Sequence, residues 1–572
     1  MTDQPQGSYP VRQIYTIKEL INTGAIEYKE KPAFLVKEEK GGPYREITHK
    51  KLKNDVDALG TKLIDMGLQG EKIAIIGENS YEWAVSYFAV VNGAGVVVPL
   101  DRELSKEEVY HLMKTADCKA LIYSSLYEDY AKDAPADVKI KFEHYRNDYV
   151  PFDTLDMAQI INDGRRLISQ GDRRFLDAQI DPEEVRILLF TSGTTGTPKA
   201  VMLCHRNIIS NVLDITRIVK LKEDERSLSI LPMHHTFEST INLMTMLYQG
   251  GSIAMFEGLK YVSKNLKEAQ ATVLVGVPLI FESIYNKLWK QAEKTNKARA
   301  LRAAMNINGT LIKLGIDQRH RLFRIIYDSF GGKLRTLVTG AAAIDPKVIR
   351  GFHDLGLEVH QGYGLTETAP LLSGCPDGEM KYRKTGSSGP VVPSGELKID
   401  DANDEGIGEI LYKGPNVMLG YYKMPEETAA VMKDGWFCTG DLGFMDESGW
   451  LYITGRKKNV IVTKTGKNIY PEELELLIND FDYVEECMVY GLEGMDAGGG
   501  TQVAVQIRVS EEFVSKQLGK EHTKKQTYDL LKDCLSQINE KLPNYKRIRH
   551  LVVRDTDFIK TTTHKIKRME NI

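Results

Sequence analysis

Two short apolar runs, "KIAIIGEN" (Lys72 to Asn79) and "VVVPL" (Val96 to Leu100), flank the helical stretch "EWAVSYFAVVNGAG". Strand, helix and strand in that order indicate a parallel sheet, and so an α/β fold. The alternation recurs at "KALIYSS", "SIAMFEG", "ATVLVGVP" and "LRTLVTGAA". Ahead of it, Thr48 is placed to cap a helix whose apolar residues Leu52, Val56, Leu59 and Leu63 recur at helical spacing.

A chain of 572 residues is too long for one hydrophobic core, so several structural units are expected. Near Gly389 the texture changes to short β-rich runs separated by glycine and proline, such as "GEILYKGPNVMLGYY" and "GWLYITGR", which suggests a small antiparallel β unit. After Lys458 the chain reads as a compact α+β segment. The expectation is a large N-terminal α/β domain of parallel and mixed sheets with that β unit, residues 1–457, then a small α+β C-terminal domain, residues 458–572.

A net charge of −4 gives no whole-protein attraction to nucleic acid. The six cysteines are scattered, with no CxxC pair, which argues against a disulfide framework or zinc site and suits a reducing cytosol. The opening "MTDQPQGSYPVRQIY" has no apolar core of the kind a signal peptide needs. No run approaches the roughly 18 apolar residues of a membrane span. A cytoplasmic protein that meets a membrane only from its surface is expected.

The chemistry concentrates in "LLFTSGTTGTPKAVM" (Leu188 to Met202). Between Thr191 and Lys199 it holds two glycines, five hydroxyl side chains and a lysine. Glycines let backbone N–H groups turn toward an anion, hydroxyls donate further bonds, and the lysine adds a mobile charge. That is polyphosphate-binding chemistry. It is not a Walker A loop, which ends in Gly-Lys-Ser/Thr; here Pro198 precedes the lysine and has no N–H to donate. Read alone, the stretch also fits a flexible Gly/Thr surface loop.

"TSGTTGTPKAVMLCHRN" resembles the signature loop of the adenylate-forming superfamily, with Ala200 where glycine is usual. Four more segments resemble that family's motifs in the family's order. "QGYGLTETAP" (Gln361 to Pro370) resembles its adenine and magnesium motif, and "DGWFCTGDLGFMDESGWLYITGRKKN" its fatty acyl-CoA synthetase motif. "TKTGKNIYPEELE" is similar to its thiol-channel loop, and "IKTTTHKIKR" (Ile559 to Arg568) to its C-terminal lysine motif. Two departures stand in the last: Ile559 where proline is usual and His564 where glycine is usual. The pattern is most similar to long-chain fatty acyl-CoA synthetases.

The resemblance implies roles residue by residue. Thr191, Ser192, Gly193, Thr194, Thr195, Gly196 and Lys199 would hold ATP phosphates. Gly340, Gln361, Gly362, Tyr363, Gly364 and Thr366 would complete the nucleotide site. Glu367, with Thr191, would hold Mg²⁺. Asp441 would receive the ribose hydroxyls, Arg456 would make a second ribose or phosphate contact, Lys458 would be the hinge of a mobile C-terminal domain, and Gly466 would line the thiol channel. Lys565 would be catalytic, and His235, in "LPMHHTFEST", would face the acid. A carboxylate would attack the α-phosphorus of ATP and release pyrophosphate; a thiol would then take the acyl group and release AMP. CoA is the expected thiol, and a carrier-protein phosphopantetheine the alternative. A non-catalytic acyl-nucleotide binding protein is the third reading, set against the presence of Lys199, Glu367, Asp441 and Lys565.

"VGVPLIFESIYNKLWKQ" (Val275 to Gln291) resembles the long-chain version of its region, which implies a medium or long fatty acid. Residues 281–335 carry twelve Lys/Arg against four Asp/Glu, with apolar residues interspersed. Such a basic amphipathic surface suits a peripheral contact with anionic lipid; the plainer reading is a solvated helix face over the core.

Overall fold

The computed structural model describes residues 9–143, 155–191, 198–313, 316, 318–378, 380–463, 467–493, 501–560 and 566–572. They divide into two compact units: 1–396 with 412–437, and 397–411 with 438–572.

The first unit is built on two eight-stranded sheets. In one, strands Glu71–Ile76, Gly95–Pro99 and Ala120–Ser124 pair in parallel, as the strand–helix–strand pattern predicts. The helix between the first two, Tyr81–Ala89, is buried along its length, so its sequence carries almost no polar face. In the other sheet, Arg226–Ser229, Ser252–Met255, Val273–Gly276, Thr336–Thr339 and Glu358–Gly364 are likewise parallel neighbours. Their carboxyl ends deliver Ser229, Gly276, Thr339 and Gly364 to one edge of that sheet. Helix His49–Asp65 begins as expected: Thr48 Oγ1 accepts a hydrogen bond from Lys51 N at 3.1 Å, a cap worth about 1 kcal/mol. Its residues Leu52, Val56, Leu59 and Leu63 are all buried.

Strand Val185–Thr191 has a partner on each side. It lies parallel to Gly95–Pro99 on one side, but after the glycine loop the chain returns beside it as the antiparallel strand Lys199–Cys204. The strands on either side of the loop are thus antiparallel partners, whereas a Walker sequence leads from a strand into a helix.

The second unit contains a three-stranded sheet, Val484–Leu492, Gln502–Val509 and Ile548–Arg554, antiparallel and then parallel, with helices Pro471–Asn479 and Lys524–Lys541. The compact units part at Phe437/Cys438, earlier than the expected 457/458. Asp441 and Arg456 thus belong to the second unit. The physical reason is the hairpin of Trp436–Met445 and Leu451–Arg456, whose end lies close against the following helix Pro471–Asn479: a Cβ on Gly455 would come within 2.5 Å of Glu472 Oε2.

All six cysteines are free. No helix among the described residues is long and apolar enough to cross a membrane.

Candidate active site

Lys199 opens the returning strand of the hairpin, and its Nζ stands 4.8 Å from the centre of the Tyr421 ring. The Tyr421 hydroxyl donates to Glu367 Oε1 at 2.9 Å. One aromatic side chain thus joins the lysine of the glycine loop to the carboxylate of the "TET" turn, across 222 residues of sequence in one direction and 54 in the other. Burial, and then the Glu367 carboxylate, push the Tyr421 phenol well above its ordinary range, so it stays a donor. Its placement comes from strand pairing: Gly420 and Tyr421 pair with Met202 and Val201, and Met418 N donates to Glu367 O at 2.8 Å. Ala200, the departure from the glycine usual here, is a buried strand residue whose carbonyl accepts from Tyr422 N at 2.8 Å. Sequence reasoning read "GPNVMLGYY" only as a β run and missed Tyr421. A tyrosine in a two-residue strand carries no local signal of its partner.

Glu367 and Thr366 sit in a single 3-10 turn, Thr366–Thr368. Two asparagines fix its exit. Asn211 Oδ1 accepts from Leu371 N at 2.8 Å, and Asn416 Nδ2 donates to Thr368 O and Leu371 O at 2.7 and 2.8 Å. Both asparagines are fully buried. Before the turn, Gln361, Gly362, Tyr363 and Gly364 form the end of strand Glu358–Gly364. Gly340 follows strand Thr336–Thr339; a Cβ there would lie 3.1 Å from Gly362 O and 3.3 Å from the Phe237 ring. Gln361 Oε1 is buried with no hydrogen-bond partner among the described residues. An orphaned acceptor of that kind suits a ligand donor.

Thr191 ends its strand, and its hydroxyl leans on Lys199 O at 3.4 Å. A hydroxyl and one carboxylate are the oxygen donors a Mg²⁺ ion takes from protein when phosphates supply the rest, so Thr191 and Glu367 fit the expected metal in kind. Ser192, Gly193, Thr194, Thr195, Gly196, Gly466 and Lys565 lie outside the described residues.

In the second unit Asp441 faces Arg456 across the hairpin, with Arg456 Nε 2.7 Å from Asp441 Oδ1. Asp441 is 5% exposed and Arg456 39%, so the carboxylate is positioned by a cation that itself reaches solvent. Lys458 lies in the 3-10 turn Lys457–Asn459 and is exposed; partial desolvation, then the Arg456 guanidinium, lower its ammonium. The base of the C-terminal lysine motif is described on both sides. Lys567 N donates to Ile559 O at 2.9 Å, and Ile559 N donates to Asn571 Oδ1 at 3.0 Å. Proline at 559 has no N–H for that bond, which gives the departure at Ile559 a physical role here.

His235 lies on the turn before the π-helical segment Phe237–Met244, its ring 4.0 Å from that of His234. His234 Nε2 is 3.5 Å from Asp101 Oδ2. Beneath this turn Glu238 is completely buried, and desolvation pushes its carboxyl up to about 8. Its partners, Ser229, Asn242 and the Leu231 amide, are neutral. A carboxyl raised from 4.5 to about 8 keeps its proton in the folded chain where the unfolded chain has lost it. The stability it lends is full below about pH 4.5 and is lost as pH rises through about 8, on the order of a few kcal/mol. Glu238→Gln should therefore flatten the fall in unfolding temperature between pH 5 and pH 9, read by scanning fluorimetry. An unchanged slope would place the titrating group elsewhere.

A protein-family model described as AMP-binding enzyme matches residues 23–422. The chain belongs to the AMP-binding enzyme family. Long-chain-fatty-acid–CoA ligase 5 of Rattus norvegicus is 30% identical over 487 residues, 78% of this chain and 69% of the relative. Fatty acyl-CoA synthetase A of Dictyostelium discoideum is 27% identical and spans 98% of this chain and 87% of its own length. Among solved structures, o-succinylbenzoate CoA synthetase from Bacillus subtilis, in complex with the acyl-adenylate OSB-AMP, superposes with a TM-score of 0.74 at 20% identity. It covers 96% of this chain and 97% of that one. At that identity the likeness is one of fold: a large mixed α/β body followed by a smaller β-containing one.

Proposed function

We propose that this protein is an ATP-dependent fatty acid–CoA ligase that forms an acyl-adenylate and then a thioester. The observation that carries the reading is the Lys199–Tyr421–Glu367 chain at the base of a Gly/Thr hairpin. It links a cation to a carboxylate through the ring and hydroxyl of one tyrosine, in a family whose similar members include long-chain fatty acid–CoA ligases.

In the first step the acid's carboxylate oxygen attacks the α-phosphorus of ATP and the bond to pyrophosphate breaks. Lys199 and the loop hydroxyls offset charge on the leaving phosphates. Thr191 and Glu367 would hold Mg²⁺, which when bound neutralises phosphate charge. Asp441, oriented by Arg456, offers two acceptor oxygens to the vicinal ribose hydroxyls. Lys565 supplies positive charge at the reacting oxygens. In the second step the thiol attacks the acyl carbonyl and AMP leaves. No covalent enzyme intermediate is required; the work is positioning and charge stabilisation.

An acid panel with ATP and CoA, read by pyrophosphate and AMP release, tests the assignment. Thioester formation should be fastest with an unbranched medium or long chain, as the segment Val275 to Gln291 suggests. Preference for acetate, an aryl acid or an amino acid would remove the fatty-acid reading. AMP release with a carrier protein but not with free CoA would make the carrier the acceptor.

The basic region 281–335 supports a peripheral lipid contact. Helix Ala298–Lys313 and the segment after it expose Ile307 (58%), Leu322 (44%) and Ile325 (76%), and Arg299, Arg302, Arg321 and Arg324 of the same region are exposed too, while Phe323 is buried in the core. Exposed apolar side chains among arginines suit the boundary of an anionic bilayer. The protein should sediment with phosphatidylserine-containing liposomes at low salt more than with neutral ones, and Ile307→Asp with Ile325→Asp should abolish the difference. Equal partitioning to both lipids rejects the contact.

A further inference from the structure

The turn "LPMHH", Leu231 to His235, connects strand Arg226–Ser229 to the π-helical segment Phe237–Met244. Within the turn, His235 N donates to Pro232 O at 3.1 Å. Further bonds reach it from elsewhere. Asn79 is 3% exposed and follows strand Glu71–Ile76 of the other large sheet. Its Nδ2 donates to Leu231 O at 2.6 Å and lies 2.9 Å from Ser229 Oγ, while its Oδ1 accepts from Met233 N at 3.1 Å. One amide therefore grips the turn on both sides of Pro232.

Ser229 passes the grip on. Its Oγ donates to Glu238 Oε1 at 2.6 Å, and Asn242 Nδ2 donates to the same oxygen at 2.7 Å. Glu238 and Ser239 return two backbone bonds to His235 O, both at 3.0 Å. Ser229, Glu238 and Asn242 are all fully buried. Phe237, at the head of the π-helical segment, packs on Gly340 beside the strand that carries Gln361.

We propose that Asn79 and Glu238, joined through Ser229, are positioning residues for the acid-binding side of the active site, holding the turn that carries His235. The assignment rests on the reading that residues 231–240 line the acid site. Three considerations favour positioning over plain core filling. Apolar side chains of similar volume fill a core at lower desolvation cost than four polar ones. Both Asn79 bonds to the turn are made to its backbone, at Leu231 O and Met233 N. The carboxyl is held neutral by its surroundings, so it acts as a hydrogen-bonding group and not as a charge.

The test is steady-state and half-reaction kinetics of the full chain carrying Asn79→Ala, Ser229→Ala, Glu238→Ala or Glu238→Gln. Unfolding temperatures are measured alongside, with lauric and palmitic acids as probes. Asn79→Ala and Glu238→Ala should raise the KM for the acid about tenfold or more while leaving the KM for ATP within about twofold. Glu238→Gln, a neutral isostere, should restore the acid KM. Ser229→Ala, the mildest deletion, keeps the test open should Glu238→Ala fail to fold. The proposal is overturned if the folded variants keep a wild-type acid KM. It is also overturned if the KM values for acid and ATP rise together, or if Glu238→Gln behaves as Glu238→Ala does. His235→Ala separates the underlying reading: if it leaves the acid KM unchanged, residues 231–240 do not line the acid site, whatever the Asn79 and Glu238 variants do.

Discussion

Lys565→Ala should lose acyl-adenylate formation by at least about 10²- to 10³-fold, the usual cost of removing a donor aimed at developing charge. The same variant, given a preformed acyl-adenylate and CoA, should form thioester at close to the wild-type rate. The difference follows from where charge develops. In the first half-reaction a carboxylate approaches a phosphate, and negative charge crowds onto the α-phosphate oxygens and the departing pyrophosphate. In the second, a thiolate attacks a neutral carbonyl and AMP is already a good leaving group. A cation matched to the first step has little left to stabilise in the second. Pyrophosphate release measures the first step, and thioester formation from supplied adenylate the second. Equal slowing of both would remove the assignment of Lys565 to adenylation. Intact adenylation would require another lysine, with Lys560 and Lys567 nearest. Lys560 forms an ion pair with Glu486, and Lys567 lies 3.1 Å from Glu570 in an exposed pair that costs little to break. A bulky residue at Gly466 should give the opposite pattern, with adenylation retained and thioester formation lost.

Gly364→Ala should be nearly as damaging, for a steric reason. A Cβ at Gly364 would lie 1.8 Å from Pro370 O and 2.6 Å from its carbonyl carbon, which is backbone and cannot swing aside. The strand end and the segment after the turn must separate, and the Thr366–Thr368 turn lies between them. That separation breaks the register of Gly364 against Leu371 and loosens the carbonyls that Asn416 holds. Glu367 is then no longer delivered to Tyr421. The expected result is a KM for ATP raised, and adenylation lowered, by about two orders of magnitude, as for a misplacement of about 1 Å in a preorganised site. Gly362→Ala is the comparison. Its Cβ would meet the Leu371 side chain at 2.6 Å, a flexible group that can rotate away, so its loss should be much smaller. Equal losses for the two would show that the backbone clash is not what matters.

Much of this was legible without coordinates. The alternation of short apolar runs with helical stretches predicts parallel strands, and Glu71–Ile76 beside Gly95–Pro99 is parallel. Thr48 before a helical pattern predicts a cap, and the cap is made. Such features are local: periodicity, capping and turn chemistry are written within ten or so residues. The ordered series of motifs implied the family, and the family model matches residues 23–422.

What the sequence left open depends on which distant segments meet. The stretch "VRILLFTSGTTGTPK" carries no local sign of which strand follows or flanks it. Only the pairing of Val185–Thr191 with Lys199–Cys204 decides, because both are apolar runs of similar length. Tyr421 looks like any strand tyrosine until Gly420 and Tyr421 pair with Met202 and Val201 and place its hydroxyl on Glu367. Nothing local in "HTFEST" marks Glu238 as an interior residue, yet it is completely buried against Ser229 and Asn242. Asp441 belongs by sequence to a segment before the expected junction and by contacts to the unit after it. In each case the deciding interaction joins residues that share no periodicity, so local pattern carries no information about it. The sequence by itself determined the elements and the chemistry available. The tertiary structure alone decided that Tyr421 joins Lys199 to Glu367 and which acid is stripped of water, because hydrogen bonding and desolvation act between neighbours in space.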